Sequence, residues 1–147
     1  MRFTGTILLF VGTLLLAGSA GAEQNSDTNS SAGSVVRAVF TTTISEREPQ
    51  DSVVELMNDS GKIMFFTEFK GMSGQTAIHR WEYQGKVMAE VPFQIGAERW
   101  RAWSSKNLEP SWIGEWQVTA LDESGNELTT RNFEMKTVAP SAPASMR

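Results

Sequence analysis

Cysteine is absent from the 147-residue chain, and histidine occurs once, at His79. Without cysteine there is no disulfide framework and no thiolate metal site, so the fold must be stabilised by its hydrophobic core. A single histidine also leaves a transition-metal site short of its usual ligands. The sequence therefore predicts a domain that holds no metal and no other cofactor.

Excess positive charge and catalytic motifs are also missing. The chain has 13 Lys and Arg against 17 Asp and Glu, a net charge of -4. Nucleic-acid binders need a clustered basic face, so we expect no nucleic-acid partner. There is no Gly-x-Ser-x-Gly elbow and no glycine-rich phosphate loop, and we expect a protein that is not an enzyme and has no catalytic residue. A hydrolase with a carboxylate pair stays open as an alternative, drawn from Glu68, Glu82, Glu90 and Glu115.

The N-terminal apolar run is too short to cross a bilayer. Ile7 to Ala17 falls below the roughly 20 residues that a spanning helix needs, and it follows the positive start Met1-Arg2. The small-x-small sequence Ala20-Gly21-Ala22 comes next. This pattern predicts a signal peptide over residues 1–22 with cleavage near Ala22. We expect a periplasmic or secreted protein with no stable membrane insertion after cleavage.

Both ends of the mature chain are poor in groups that could be buried. Residues 23–34 are polar and rich in Ser and Asn, and residues 138–147 carry Pro140 and Pro143 among mostly small side chains. Such segments cannot offset the entropy cost of ordering. We expect a disordered linker over residues 23–34, a β-sandwich domain over residues 35–137 and a disordered tail over residues 138–147.

No apolar pattern at helical spacing is sustained in the central region, which instead contains short runs rich in Val, Phe, Trp and Thr. This predicts an all-β fold, an immunoglobulin-like β-sandwich of seven or eight antiparallel strands. The expected strands are Val35 to Ile44, Ser52 to Met57, Lys62 to Phe69, Thr76 to Tyr83, Lys86 to Phe93, Glu98 to Ser104, Trp112 to Leu121 and Glu127 to Thr137.

Details of the chain predict how these strands are joined and which faces they bury. Gln84-Gly85 and the segment Asp122 to Asn126 indicate tight hairpins. Alternation predicts one inward row in the fifth run (Val87, Ala89, Val91 and Phe93) and another in the seventh run, which includes Trp116. Leu128 is out of phase with the rest of the last run, which indicates a β-bulge or an irregular end.

The candidate binding residues lie between residues 98 and 111. Trp100 and Trp103 are three positions apart and so lie on opposite faces of a strand, which means that one of them should be exposed. If it is Trp103, it forms an aromatic and basic patch suited to a glycan or an anionic partner. The alternative is that Trp103 is buried and the arginines are cross-strand charge partners. The candidate residues of the patch are Arg99, Arg101, Trp103, Ser104, Ser105, Lys106 and Asn107, with Ser104 to Ser111 as the expected functional loop.

His79 is the remaining candidate. It shares a strand face with Trp81 and Tyr83. One interpretation places this row in the core with His79 hydrogen-bonded to a backbone group. The other makes His79 part of a binding surface.

The segments FFTEFKGMSGQTAIHRWEYQGKVMAEVPFQIG, RWRAWSSKNL and GEWQV resemble the bacterial family called domain of unknown function 2914. The resemblance extends from about Val36 to Met135 and includes Arg47-Glu48-Pro49. It implies one compact domain in a bacterial envelope protein and assigns no activity. The expected function is a non-catalytic binding module for an envelope glycan or an envelope protein. The alternative is a structural or accessory subunit that acts by sheet-edge pairing.

Overall fold

The computed structural model describes residues 33–140, so the predicted signal peptide, most of the linker and most of the tail lie outside the described residues. Ten β-strands and no helix form this part of the chain. The strands are β1 (Ser34–Thr41), β2 (Ile44–Ser45), β3 (Glu48–Pro49), β4 (Glu55–Met57), β5 (Lys62–Lys70), β6 (Thr76–Tyr83), β7 (Lys86–Gln94), β8 (Arg99–Asn107), β9 (Gly114–Asp122) and β10 (Glu127–Lys136). Between residues 33 and 140, no helix has the length and apolar character needed to span a membrane.

The strands form two sheets and a small hairpin. One sheet has the order β1-β5-β8, the other has the order β4-β10-β9-β6-β7, and β2 pairs with β3. The pairings are antiparallel except that of β4 with β10, which is parallel. The predicted immunoglobulin-like β-sandwich is confirmed. The predicted number of strands is wrong, because β2 and β3 have two residues each and are too short to show alternation.

The core lies between the two sheets. Phe40 of β1 meets Phe133 of β10 with ring centroids 4.8 Å apart, and Phe65 of β5 lies edge-on to Trp81 of β6 at 6.5 Å. Trp81 and Trp116 have no exposed surface. Truncating a buried aromatic residue of this kind costs about 3 to 5 kcal/mol, so these rings dominate the packing of the sandwich.

Two register shifts decide which side chains reach the core. Ala89, Val91 and Phe93 pair with inward residues of β6 as predicted, but a bulge opposite Trp81 and Glu82 reverses the alternation at the start of β7. Met88 therefore packs against the core and Val87 is 48% exposed, so the predicted inward position of Val87 is wrong. The irregularity predicted at Leu128 is confirmed by a register shift between Glu127 and Thr129.

Both predicted hairpins are present. Gln84 and Gly85 have φ of 50° and 75° and join β6 directly to β7. Two left-handed residues in a two-residue loop give the turn whose twist matches that of paired strands. In the second hairpin the Asp122 carboxylate accepts hydrogen bonds from the backbone N–H groups of Ser124 and Asn126, which closes the turn between β9 and β10.

Candidate functional site

The outer face of the β1-β5-β8 sheet carries aligned rows of side chains. Register places Arg37, Glu68 and Arg101 side by side across the three strands. The adjoining row contains Phe66 and Trp103. Glu68 and Phe66 point away from the sandwich core, yet Glu68 is only 2% exposed and Phe66 is fully buried. Other parts of the chain must therefore cover the middle of this outer face.

Arginine side chains cover Glu68. Its carboxylate accepts a hydrogen bond from Nε of Arg99, and it lies 3.1 Å from Nη2 of Arg37 and 3.8 Å from Nε of Arg101. Burial acts to raise the pKa of the Glu68 carboxyl, but Arg99, Arg37 and Arg101 outweigh burial and hold this pKa below its ordinary value. Glu68 is therefore an ionised anchor that fixes the directions of three guanidinium groups.

The β2–β3 hairpin provides a second carboxylate above this network. Glu48 Oε2 is 2.6 Å from Nη2 of Arg37, and Glu48 Oε1 is 2.9 Å from Nη2 of Arg101. Since β1 and β8 are the two edges of the sheet, Glu48 bridges both edges over β5. The guanidinium of Arg37 also lies 4.7 Å from the centroid of the Phe66 ring. The hairpin and Arg37 together explain how outward side chains of β5 are buried.

A cleft opens beside this network at the end of the sheet where β8 begins. It has a volume of about 360 Å³ and is lined by Arg47, Ala97, Arg99, Trp100 and Arg101. Arg47 lies at the tip of the hairpin, with its guanidinium 5.7 Å from the centroid of the Trp100 ring. Among the residues that the structure describes, none with a carboxylate lines this cleft. Its chemistry suits a ligand that carries negative charge.

The predicted patch is present on the outer face in part. Arg99, Arg101 and Trp103 share that face, and Trp103 is 36% exposed, whereas Trp100 packs against one of the two core clusters. Trp103 is thus the exposed tryptophan of the pair. The arginines are nevertheless cross-strand charge partners of Glu68, so each of the two interpretations describes one part of the surface correctly.

The remaining strand residues of the patch lie nearer the other end of β8. Ser105 and Asn107 follow Trp103 on the outer face and are exposed, but Lys106 belongs to the opposite row, with Nζ 5.8 Å from the Trp112 ring centroid. Residues 104–107 belong to β8, paired with β5, and are not part of a loop. The connection between β8 and β9 is therefore confined to residues 108–113.

His79 and Ser104 are in the core, away from the surface where the patch was expected. His79 is fully buried and Ser104 is 5% exposed. Nε2 of His79 is 2.8 Å from Oγ1 of Thr67, and Nδ1 is 2.8 Å from Oγ of Ser104. Trp81 donates Nε1–H to Ser104 at 3.0 Å, and Thr67 donates to the carbonyl oxygen of Ala102 at 3.3 Å. The partners of His79 are thus hydroxyl groups of the opposite sheet and not the expected backbone group.

One proton assignment satisfies this whole network. If the Thr67 hydroxyl donates to the carbonyl oxygen of Ala102, the hydroxyl oxygen of Thr67 accepts from Nε2–H of His79. Nδ1 of His79 then accepts from the Ser104 hydroxyl, whose oxygen accepts from Trp81. The imidazole is neutral in this arrangement, and burial lowers its pKa from 6.5 to about 3. The network therefore ties β6 to β5 and β8 and offers no surface for a ligand.

The glutamates weighed as a hydrolytic pair are divided between the sheets. Glu68 is held in the arginine network, and Glu90 forms an ion pair with Arg80 at 2.6 Å. Glu82 and Glu115 line a common cleft of about 210 Å³ on the outer face of the larger sheet. Within residues 33–140, no three histidine or acidic side chains are grouped in a way that could hold a metal ion.

Sequence reasoning missed Arg37, Arg47, Glu48 and Glu68 as parts of this surface. Arg47 and Glu48 were included only in the family resemblance. The run Phe65-Phe66-Thr67-Glu68-Phe69 did contain a signal, because large apolar side chains at both odd and even positions of one strand are typical of a strand covered on both faces.

Comparison with known proteins supports the predicted family. Residues 74–135 match the model of a family described as "Protein of unknown function (DUF2914)". This match confirms the family over the segment that begins just before β6 and ends within β10, which contains Arg99, Arg101 and Trp103. No curated protein matches the sequence. Among solved structures, the crystal structure of a Niemann-Pick type C2 protein from Japanese carpenter ant is similar with a TM-score of 0.42 and 11% identity, over 72% of this chain and 92% of that chain.

Proposed function

We infer that this protein is a non-catalytic binding module of the cell envelope, exported by its N-terminal segment. It binds an envelope glycan or an envelope protein through the outer face of the β1-β5-β8 sheet. The observation that carries this proposal is the side-by-side position of Arg99, Arg101 and the exposed ring of Trp103 on one strand. Arginine and tryptophan are the residue types that most often dominate binding energy.

Rigidity of this surface supports the proposal. Arg101 is held by Glu48 and Glu68, and Arg99 is held by Glu68. Ordering a long side chain on binding costs about 0.5 to 1.5 kcal/mol, and anchored guanidinium groups avoid part of that cost. Because the strand backbone is fixed by nine paired residues of β5, the spacing of these side chains is set before any ligand binds.

A structural or accessory subunit that acts by sheet-edge pairing is the second candidate. The observation in its favour is that β8, nine residues long, lies at the edge of its sheet and pairs on one side only among residues 33–140. Its charged residues Arg99, Arg101 and Lys106 argue against it, because charge on an edge strand discourages pairing with another chain. A carboxylate-dependent hydrolase at Glu82 and Glu115 is the third candidate, which rests on their shared cleft alone.

Titration of tryptophan fluorescence tests the binding module. We would add peptidoglycan fragments, acidic polysaccharides and an envelope extract to the protein, and compare Trp103→Ala with a control variant, Val87→Ala. Val87 is also exposed but lies on the edge strand of the other sheet. Saturable binding that Trp103→Ala weakens and Val87→Ala leaves intact is the expected result. Binding of every ligand at equal strength by both variants would overturn the assignment of this face.

A further inference from the structure

The cleft between the β2–β3 hairpin and β8 concentrates positive charge. Arg47, Arg99 and Arg101 converge on it, although the chain as a whole is acidic. We propose that this cleft is the subsite for the anionic group of an acidic glycan, a carboxylate or a phosphate on a sugar, and that Arg47 is a specificity-determining residue. This inference rests on the binding-module proposal and names its ligand class.

The ion-pair network has one positive charge in excess, since it joins three arginines (Arg37, Arg99 and Arg101) to the carboxylates of Glu48 and Glu68. Arg47 adds a second positive charge beside the network. Both carboxylates are already engaged by two or more guanidinium groups. Neither carboxylate forms an ion pair with Arg47 within residues 33–140, so an anion that enters the cleft meets a local excess of positive charge from the three arginines that line it.

Unused hydrogen-bond donors face this cleft. Arg99 uses Nε for Glu68, its side chain is 67% exposed, and its two terminal amino groups have no partner within residues 33–140. The guanidinium of Arg47 makes no hydrogen bond or ion pair within the same range and lies over the face of Trp100. Planar guanidinium groups bind carboxylate and phosphate oxygens through paired N–H donors, which the compact ammonium of lysine cannot do.

The backbone at the tip of the hairpin is strained in a way that positions Arg47. Ser45 pairs with Glu48, so Glu46 and Arg47 alone form the turn, with φ of 51° and 62°. Two consecutive left-handed residues favour Asn or Gly, and other residues cost of order 1 kcal/mol each there. The turn nevertheless carries an arginine, whose guanidinium lies over Trp100 at the cleft. Strain of this kind is concentrated at ligand sites, where a side chain must be held in one place.

A sugar is favoured as the carrier of the anionic group because of the neighbouring aromatic ring. Trp103 follows Arg101 by two positions on the same face and is partly exposed. The negative face of an indole ring attracts the weakly positive C–H edges of a sugar ring. An acidic glycan could thus place its charged group among the arginines and a ring of the same chain on Trp103.

Affinity measurements on variants of the full chain test this inference. The probes are oligogalacturonate for sugar carboxylates, inorganic phosphate, uncharged dextran and poly-L-glutamate, each measured by calorimetry at low and high salt. The variants are Arg47→Gln and Arg99→Gln. Arg131→Gln is the matched control, since Arg131 is exposed on the larger sheet and hydrogen-bonds within its own strand.

We expect oligogalacturonate to bind and dextran not to bind. Arg47→Gln and Arg99→Gln should each weaken binding about tenfold, Arg131→Gln should leave it unchanged, and added salt should weaken it. Competition by inorganic phosphate would extend the subsite to phosphorylated glycans, whereas its failure to compete would assign the subsite to carboxylates.

Two outcomes would overturn the inference in different ways. If glycans bind in the fluorescence titration but neither Arg47→Gln nor Arg99→Gln weakens that binding, the binding-module proposal stands and the cleft is not its anionic subsite. If poly-L-glutamate binds more tightly than oligogalacturonate with the same arginine dependence, the subsite accepts an acidic protein and the assignment to glycans is wrong. An absence of binding to every glycan and to every component of the envelope extract would instead overturn the binding module itself.

Discussion

Mild acid should destabilise the folded domain through His79, the only histidine of the chain. In the folded domain this imidazole is neutral, and burial lowers its pKa to about 3, whereas in the unfolded chain it titrates near its ordinary value of 6.5. Between these two values the unfolded state binds a proton more readily than the folded state does. The free energy of unfolding must therefore fall as the pH falls from about 6.5 toward 3.

The size of this effect follows from the pKa difference. Proton linkage gives a slope of about 1.4 kcal/mol per pH unit once the unfolded histidine is protonated, and a total loss of about 2 kcal/mol between about pH 7 and about pH 5. This window lies above the ordinary titration range of carboxylates, so two lowered carboxyl pKa values contribute little to it. These belong to Glu68 and to Asp51, whose carboxylate accepts hydrogen bonds from Thr41 and Thr42. Below that window those two groups remove further stability as they are protonated.

Urea denaturation at a series of pH values measures the loss. His79→Gln supplies the comparison, because a variant with no histidine should keep nearly constant stability from about pH 7 to about pH 5, although the altered hydrogen bonds to Thr67 and Ser104 lower it at every pH. Nitrogen NMR of the wild-type imidazole should report a neutral ring with its proton on Nε2 throughout. Equal pH slopes for the wild type and the variant, or a ring that is protonated at about pH 5 in the folded domain, would refute the reasoning.

Four other substitutions test three separate parts of the structure. Glu68→Gln removes the shared partner of three arginines and should lower the free energy of unfolding by about 2 to 3 kcal/mol, so an unchanged urea midpoint would contradict its role as an anchor. Trp103→Ala should cost less than about 1 kcal/mol and Trp81→Ala about 3 to 5 kcal/mol, and equal losses would show that Trp103 also belongs to the core. Arg47→Gly should raise the free energy of unfolding by about 0.5 kcal/mol, because glycine relieves the strain of the left-handed turn. The same substitution should weaken binding of oligogalacturonate. A fall in stability would show that the Arg47 side chain stabilises the fold by more than the strained backbone costs.

Much of the fold could be predicted because alternation is a local signal. The rows of β6 and β9 place Trp81 and Trp116 inward without knowledge of their partners. The same rule separates Trp103 from Ser104, since neighbouring residues of a strand point to opposite faces. The interpretation of Ser104 as a surface residue failed because residues 104–107 were assigned to a loop, whereas they extend β8.

The partners of the arginines in the network could not be predicted, because they are distant in sequence. Glu68 meets Arg37 and Arg99 from two other strands, and Glu48 reaches the sheet from strands of only two residues. Neither pairing leaves a periodic pattern. The bulge at Met88 was missed for a similar reason, since one extra residue changes the face of Val87 without changing the composition of the run.

Chemical-shift mapping of the oligogalacturonate complex tests the central claim most directly. In a titration followed through amide and arginine Nε–H signals, we predict saturable shifts at Arg47, Arg99 and Arg101 and at the indole N–H of Trp103. Signals of Arg131 should not move. Shifts confined to the larger sheet, around Glu82 and Glu115, would contradict the account and locate the functional surface on the opposite side of the sandwich.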